Sequence, residues 1–494
     1  MNILRPHQAR LLDQLDAVIA AGCNRVIAQA PTGFGKTIVA ATRLKRIQDA
    51  GKRAIFIVPA LSLIDQSIEK LYAEGVRDVG VIQANHLMTN YARPIQVASV
   101  QTLQRRSVPD VDEIIIDEVH RWYQFYPKLL GGPRFADVPI IGITATPWTK
   151  GLGKHFDTLL VGATTRELMD AGYLAPFRAF APASPDLTQV RTLAGDYHEG
   201  DLAEAMNKTV LVADVVSTWQ ERAEDRPTLC FAVDRAHAKN LQQKFLAADV
   251  SAEYIDCFTE AAERNAIAKR FHAGDIKVVC NVGCLTTGID WDVRCIILAR
   301  PTKSEILYVQ MIGRGLRTAD GKADCLILDH SDNHIRLGFV TDIHHECLDD
   351  GKSPNPRRAV KAERLPKKCT KCSFMKPAGM LQCPCCGFIP APQPGAVHRD
   401  GELIELTSRT VAKLPTFEDK ISFYQELKAI TLLRGYKPGW AAHKFKERFG
   451  DFPPRTYESL APCAPSDTTF RWVKSRQIAW AKSRHNSNNL ERIA

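Results

Sequence analysis

Eight residues early in the chain, Ala30-Pro31-Thr32-Gly33-Phe34-Gly35-Lys36-Thr37, combine two glycines with a lysine and a hydroxyl. Glycines at this spacing let the backbone turn its N–H groups inward, and a helix starting at the lysine directs its positive end to the same point. Gly33 and Gly35 then form a cradle for phosphate oxygens, Lys36 reaches the terminal phosphates, and the Thr37 hydroxyl is a ligand for Mg²⁺. Ala30 stands where the general pattern has its first glycine. Further along, three isoleucines run into Asp117-Glu118-Val119-His120. Two carboxylates ending a buried strand are costly without a cation. Asp117 suits the metal, and Glu118 suits the orientation of an attacking water. Singly, a glycine-containing strand–helix turn or an acidic strand exit would show the same letters. Together they point to a site that splits a nucleoside triphosphate.

A second chemistry lies in Cys369-Thr370-Lys371-Cys372 and Cys383-Pro384-Cys385-Cys386-Gly387. Two C-x-x-C knuckles wrap a tetrahedral Zn²⁺, with Cys369, Cys372, Cys383 and Cys386 as the expected ligands and Cys385 turned away. A redox pair or an iron–sulfur cluster are the alternatives. Four thiolates leave no open position for water, so the site is expected to be structural. Lys367, Lys368, Lys371 and Lys376 flank it and either touch nucleic acid or form a solvated basic face. The other cysteines among the fourteen are scattered, several in apolar runs. That distribution fits a reducing, intracellular compartment. No apolar run approaches the ~20 residues of a membrane span, and the first residues lack the layout of a signal peptide.

These groups need a scaffold, and the sequence supplies a βαβ rhythm. Strands are expected at Arg25–Gln29, Arg53–Val58, Ile95–Ser99, Glu113–Asp117 and Pro139–Thr144, with helices such as Thr37–Ala50 and Leu61–Tyr72 between them. A second series follows at Thr228–Val233, Ala252–Asp256, Lys277–Val282, Cys295–Ala299 and Cys325–Asp329. Alternation of this kind predicts two α/β domains, each a parallel sheet covered by helices. The expected boundaries are 1–165 for the first domain, 166–209 for a bridge and 210–350 for the second. A cysteine module at 366–390 and a basic, mainly helical domain at 400–485 complete the chain.

Together these residues resemble the superfamily 2 helicases, with Asp117-Glu118-Val119-His120 as the DExH form of the second motif. Leu4-Arg5-Pro6-His7-Gln8 resembles the adenine-recognising segment, with Gln8 as the implied base contact. Thr144-Ala145-Thr146 resembles the motif coupling hydrolysis to nucleic acid. Thr287-Gly288-Ile289-Asp290 resembles the fifth motif, which places Asp290 near the ribose. Gln310-Met311-Ile312-Gly313-Arg314-Gly315-Leu316-Arg317 matches the sixth. The resemblance implies two tandem RecA-like domains with ATP between them, Arg317 as arginine finger, Arg314 as a second γ-phosphate contact, and Gln310 beside His120. Within that superfamily the chain resembles the RadD-like helicases of bacteria and phages, on the bridge Leu168–Phe180, on Ala299-Arg300-Pro301-Thr302-Lys303-Ser304 and on the cysteine module after the motor. That implies DNA repair, recombination or replication, replication or repair proteins as partners, and the cytoplasm of a bacterial or phage-infected cell.

Charge adds one constraint. The chain carries +10, yet its last 144 residues carry +14 and the first 350 only −4. A basic tail attracts a polyanion, or it is a solvated surface. Contacts to a nucleic-acid strand are expected from groups near Pro59, Ser99 and Thr286. Trp440, Phe445, Phe449 and Tyr457 interleave with cations and suit either base stacking or a small helical core. DNA is expected over RNA; an RNA helicase, or a nucleotide-gated clamp without unwinding activity, are the alternatives.

Overall fold

The computed structural model describes residues 3–351, 365–390 and 417–477, apart from 84–85, 182–184, 194, 208, 287–289, 438 and 450–451. Residues up to Pro392 form one compact unit, and those after it another.

In the first unit the β-branched runs become parallel strands, buried except for the edge strand Thr158–Val161. They are β1 (Arg25–Gln29), β2 (Ala54–Val58), β3 (Val79–Ile82), β4 (Ile95–Ser99), β5 (Glu113–Asp117), β6 (Ile140–Thr144) and β7 (Thr158–Val161). Their order across the sheet is β3-β4-β2-β5-β6-β1-β7, every neighbouring pair parallel. Helices cover both faces, so strands such as Ile114-Ile115-Ile116 are apolar without alternation. The order has a chemical consequence. β1 and β5 lie on either side of β6, so the loop after one and the carboxylates after the other leave the same sheet edge about 10 Å apart. A lysine side chain can cross that gap.

The second sheet uses β8 (Phe177–Phe180), β11 (Thr228–Phe231), β12 (Ala252–Ile255), β13 (Val278–Asn281), β14 (Cys295–Leu298) and β15 (Cys325–Asp329). Their order is β12-β13-β11-β14-β15-β8, again all parallel. The expected bridge is therefore more than a connection: it supplies the edge strand β8. It also supplies a hairpin, β9 (Thr192–Leu193) with β10 (Asp196–Tyr197). Asp196 of that hairpin accepts bonds from the Thr302 hydroxyl at 2.6 Å and the Lys303 N–H at 2.7 Å. This fixes the approach to helix Glu305–Gly313, which Ser304 caps by accepting from the Leu307 N–H.

The cysteine module adds β16 (Lys367–Lys368) and β17 (Met375–Lys376), paired antiparallel. Its Ser373 carbonyl accepts from the Ala181 N–H at 3.0 Å, and Phe374 bridges Phe180 with rings 5.3 Å apart. The module thus covers the free edge at β8. In the second unit, helices Phe417–Leu433 and Trp440–Phe449 and a helix at 467–477 enclose a cluster including Phe423, Leu427, Ile430, Phe445 and Tyr457. Among the described residues no helix is long and apolar enough to cross a membrane.

Candidate nucleotide cleft and thiolate cluster

Between β1 and helix Lys36–Asp49 the loop turns through Gly33 (φ 81°) and Gly35 (φ 91°). Both need the left-handed region, and neither has room for a side chain. A Cβ on Gly33 would lie 2.4 Å from Leu174 Cδ2, and one on Gly35 would lie 2.3 Å from Gln8 Nε2. The loop is braced from behind. Gln8 Nε2 donates to the Phe34 carbonyl at 2.8 Å, and Gln8 Oε1 accepts from the Arg5 N–H at 2.9 Å. Gln8 is 1% exposed, so here it holds the loop from inside the fold. Tyr173 seals that side, under the Arg5 guanidinium at 4.5 Å and edge-on to His7.

Lys36 does cross the gap. Its Nζ donates to Glu118 Oε1 at 2.8 Å. Glu118 adopts φ 49°, a conformation a non-glycine residue takes only when its surroundings impose it. Its N–H is held by Asp117 Oδ1 at 3.0 Å. Burial alone would raise the Glu118 carboxyl, but the Lys36 ammonium, then His120, outweigh it and hold it well below the usual carboxylate range. Asp117 goes the other way, pushed well up by burial and then by the Glu118 charge. A shielded carboxyl that resists ionisation beside another carboxylate is suited to a divalent cation, which would favour its charged form.

From Glu118 a chain of contacts runs to the second domain. Glu118 Oε2 lies 3.3 Å from His120 Nδ1, which lies 2.7 Å from Thr144 Oγ1. Gln310 Nε2 lies 2.9 Å from His120 Nε2. An amide NH₂ only donates, so in this arrangement His120 Nε2 accepts from Gln310 while Nδ1 faces Thr144 and Glu118. The Thr144 hydroxyl also accepts from the Thr146 N–H. One residue beyond helix 305–313, Arg314 is 7% exposed, and burial, then the nearby Arg317, brings its guanidinium down to about 10. Gly313 presses on the phosphate loop itself, since a Cβ there would sit 2.7 Å from Thr32 Oγ1.

Not every expected residue joins this cluster. Arg317 is ion-paired with Asp290, and both lie nearer solvent than Arg314. Thr287, Gly288 and Ile289 lie outside the described residues. The groups expected to touch a strand turn inward. Ser99 is fully buried and caps its own helix, the Thr286 hydroxyl donates to the Gly283 carbonyl, and the Pro59 carbonyl accepts from Gln101 and Tyr123. Each follows a strand at the right edge, but local turns satisfy it. The bracing by Tyr173 and Leu174 was not anticipated. Only an aromatic-apolar pair following Gly172 could have suggested it.

The thiolate cluster is compact. Sγ atoms of Cys369, Cys372, Cys383 and Cys386 all lie within 4.8 Å of one another, with Cys369–Cys386 at 3.8 Å and Cys372–Cys383 at 3.7 Å. A zinc tetrahedron with bonds of about 2.3 Å has edges near 3.8 Å, which these two pairs already match, so the donor set fits that ion. Each knuckle closes on a left-handed residue, Ser373 (φ 61°) and Gly387 (φ 69°). Their N–H groups donate to the carbonyls of Cys369 and Cys383, both at 2.9 Å. Cys385 is exposed and outside the cluster. Lys376 is buried and donates to the Leu381 carbonyl, so it is part of the module's interior and unavailable to a nucleic acid.

Two family models match in succession: the Type III restriction enzyme res subunit over residues 2–149, and the helicase conserved C-terminal domain over 207–319. A 51.5 kDa protein of a Lactococcus phage (isolate 7-9) is 29% identical over 415 residues, covering 81% of this chain and 86% of that protein. The putative ATP-dependent helicase IRC3 of Saccharomyces cerevisiae is 27% identical over 359 residues, 66% of this chain and 51% of the yeast protein. The chain thus spans about half the length of that relative. Among solved structures, the ATP-dependent Type ISP restriction-modification enzyme LlaBIII bound to DNA shares the fold at a TM-score of 0.51. Its identity is 15%, and the match covers 67% of this chain and 28% of that one. Both motor halves are matched in order, and Lys36, Glu118, His120 and Gln310 of their motifs form one chain of contacts between the two parallel-sheet domains; the chain belongs to the superfamily 2 helicases, ATP-hydrolysing enzymes.

Proposed function

We propose that the chain is an ATP-dependent DNA helicase or translocase serving DNA repair, recombination or replication. The observation that carries the reading is the continuous path Lys36–Glu118–His120–Gln310, which joins the phosphate loop of one domain to the sixth motif of the other. ATP would enter at Gly33, Gly35, Lys36 and Thr37, displacing Lys36 from Glu118 toward the terminal phosphates. Glu118, freed of that ion pair and already ionised, orients the attacking water. Mg²⁺, held by Thr37 and Asp117, would supply charge neutralisation at the phosphates. Gln8 has one amide hydrogen and one lone pair left for the adenine edge. Arg314 and Arg317 bring positive charge from the second domain. Arg317 must first leave Asp290, which then becomes free for the ribose, whereas Arg314 already lies in the interior. Because Glu118 and Gln310 share His120, any change in the nucleotide alters the contact between the domains, and a strand held across both is gripped in turn.

Zinc at the four-cysteine cluster would act structurally, holding the module against β8. The phage relative and the DNA-bound restriction enzyme favour DNA and a phage or bacterial cytoplasm. The deciding experiment compares ATPase rates with single-stranded, duplex and forked DNA and with RNA. Stimulation by DNA above RNA supports the reading; equal or greater stimulation by RNA replaces it with an RNA helicase, and no stimulation by any of them overturns it.

A further inference from the structure

The second unit contains a feature its core does not account for. Phe423, Leu427, Ile430 and Phe445 meet between its helices, and cations of the unit lie over several of its aromatic rings. Arg448 lies 4.0 Å over Phe423, and Lys446 lies 4.4 Å over Phe452. Tyr436 and Trp440 differ. Their ring centroids lie 4.6 Å apart with the planes tilted by 32°, they pack against the core, and among the described residues no cation lies over either ring. Their other side borders a hollow of about 660 Å³, lined also by Lys437, Gly439 and His443. Gln477 Nε2 donates to the Tyr436 hydroxyl at 2.7 Å and fixes that ring. Gly435 takes φ 63° to make the turn, and a Cβ on Gly439 would meet nothing closer than 4.0 Å, so the hollow has backbone for one wall.

We propose that this hollow is a nucleotide subsite for single-stranded nucleic acid, holding one unstacked base against Trp440 with Lys437 on the adjoining phosphate. It rests on the nucleic-acid reading above. A planar aromatic wall open on one face, a fixed second ring behind it and an exposed ammonium beside it match what a nucleotide offers: a π-face and an anion. His443 can bond a base edge. The surroundings agree in sign, since five cations and one carboxylate, Glu447, lie between Arg434 and Arg448. The volume exceeds that of one base and falls within the usual range for small-ligand sites. A second grip of this kind would keep the strand at high local concentration while the motor cycles.

The test uses the full chain and 20-mers of thymidine, or of uridine, carrying 5-iodouracil at one position. On irradiation the cross-link should map to Tyr436 or Trp440. Trp440→Leu keeps apolar bulk but loses the ring face, and should abolish that cross-link and weaken oligothymidine binding about tenfold. Trp440→Phe should stay within about threefold of wild type. If the leucine variant fails to fold, Lys437→Ala, an exposed position, carries the test with an expected loss of about fivefold. Equal results with the uridine 20-mer would assign the site to either sugar. ATPase stimulation of the wild type with no cross-link between residues 434 and 443, or unchanged binding by the variants, overturns this proposal alone. Absence of both stimulation and binding overturns it together with the motor reading.

Discussion

Lys36 and Glu118 occupy each other in this structure, and that pairing separates two steps a single assay would merge. Lys36→Ala removes the phosphate contact and should lower hydrolysis by more than about 100-fold with ATP binding weakened. Glu118→Gln keeps the shape of the side chain, loses its charge, and should bind ATP normally while turning over at least about 100-fold more slowly. Near-normal turnover in either variant would remove the residue from the site. The two arginines make a sharper comparison. A finger acts on transition-state charge, so its loss should cost about a thousandfold in turnover and little in ATP affinity. Arg317→Ala is expected to behave this way. Arg314→Ala is expected to lose affinity as well, because its buried side chain also closes the domain contact. If the pattern came out reversed, Arg314 would be the finger and Arg317 the partner of Asp290.

At the scale of elements, the cysteine module is a cap on the free edge of the second sheet, and a metal bound at its four thiolates would be linked to that docking. Cys383→Ser or Cys386→Ser should lose the single zinc expected per chain and loosen the contact between Phe374 and Phe180. Cys385→Ser should keep both. Metal content by atomic absorption, with amide exchange at Ala181 as the readout of docking, distinguishes them. Loss of zinc in the Cys385 variant would reverse the ligand assignment. A second element carries a pH dependence. His237, in helix Arg235–Ala247, is 1% exposed, and burial brings its ring down to about 4 despite the nearby Asp234 carboxylate. An unfolded histidine titrates near 6.5, so the unfolded state takes up the proton first. The second domain should hold this stability above about pH 6.5 and lose it as pH falls toward 4, by up to about 3 kcal/mol. Denaturant melts of wild type and His237→Gln across that window should converge at low pH; parallel curves would assign the acid sensitivity elsewhere.

For the whole molecule, charge separates motor from tail. The first 350 residues carry −4 and the remainder +14. If the tail contributes phosphate contacts, removing residues 351–494 should weaken DNA binding and reduce the slope of log affinity against log salt. An unchanged slope would give the basic tail some other task. The motor halves would still meet through His120 and Gln310, although β8 would lose the module that covers it.

The phosphate loop, the acidic pair and the two cysteine knuckles were legible from residue types and spacing, because each is a local pattern on one turn or strand end, and the sixth motif through the resemblance to the superfamily 2 helicases. Ten strands were legible too, since buried parallel strands are short apolar runs without alternation; Cys325–Asp329 and Glu113–Asp117 coincide with the reading to the residue. The edge strands β3, β7 and β8 were missed. β3 is interrupted by Gly80, and β7 and β8 become strands by pairing with β1 and β15, which are distant in sequence. The tertiary structure alone decided what each polar group faces. Ser99 and Lys376 look available in sequence and are interior, and Gln8 braces the phosphate loop from within the fold. Tyr457 and Phe445 went to a core while Trp440 kept an open face, although all are aromatic residues among cations. Spacing determines which groups share an element. Burial and long-range packing, which no local pattern encodes, determine which of them remain exposed to a ligand.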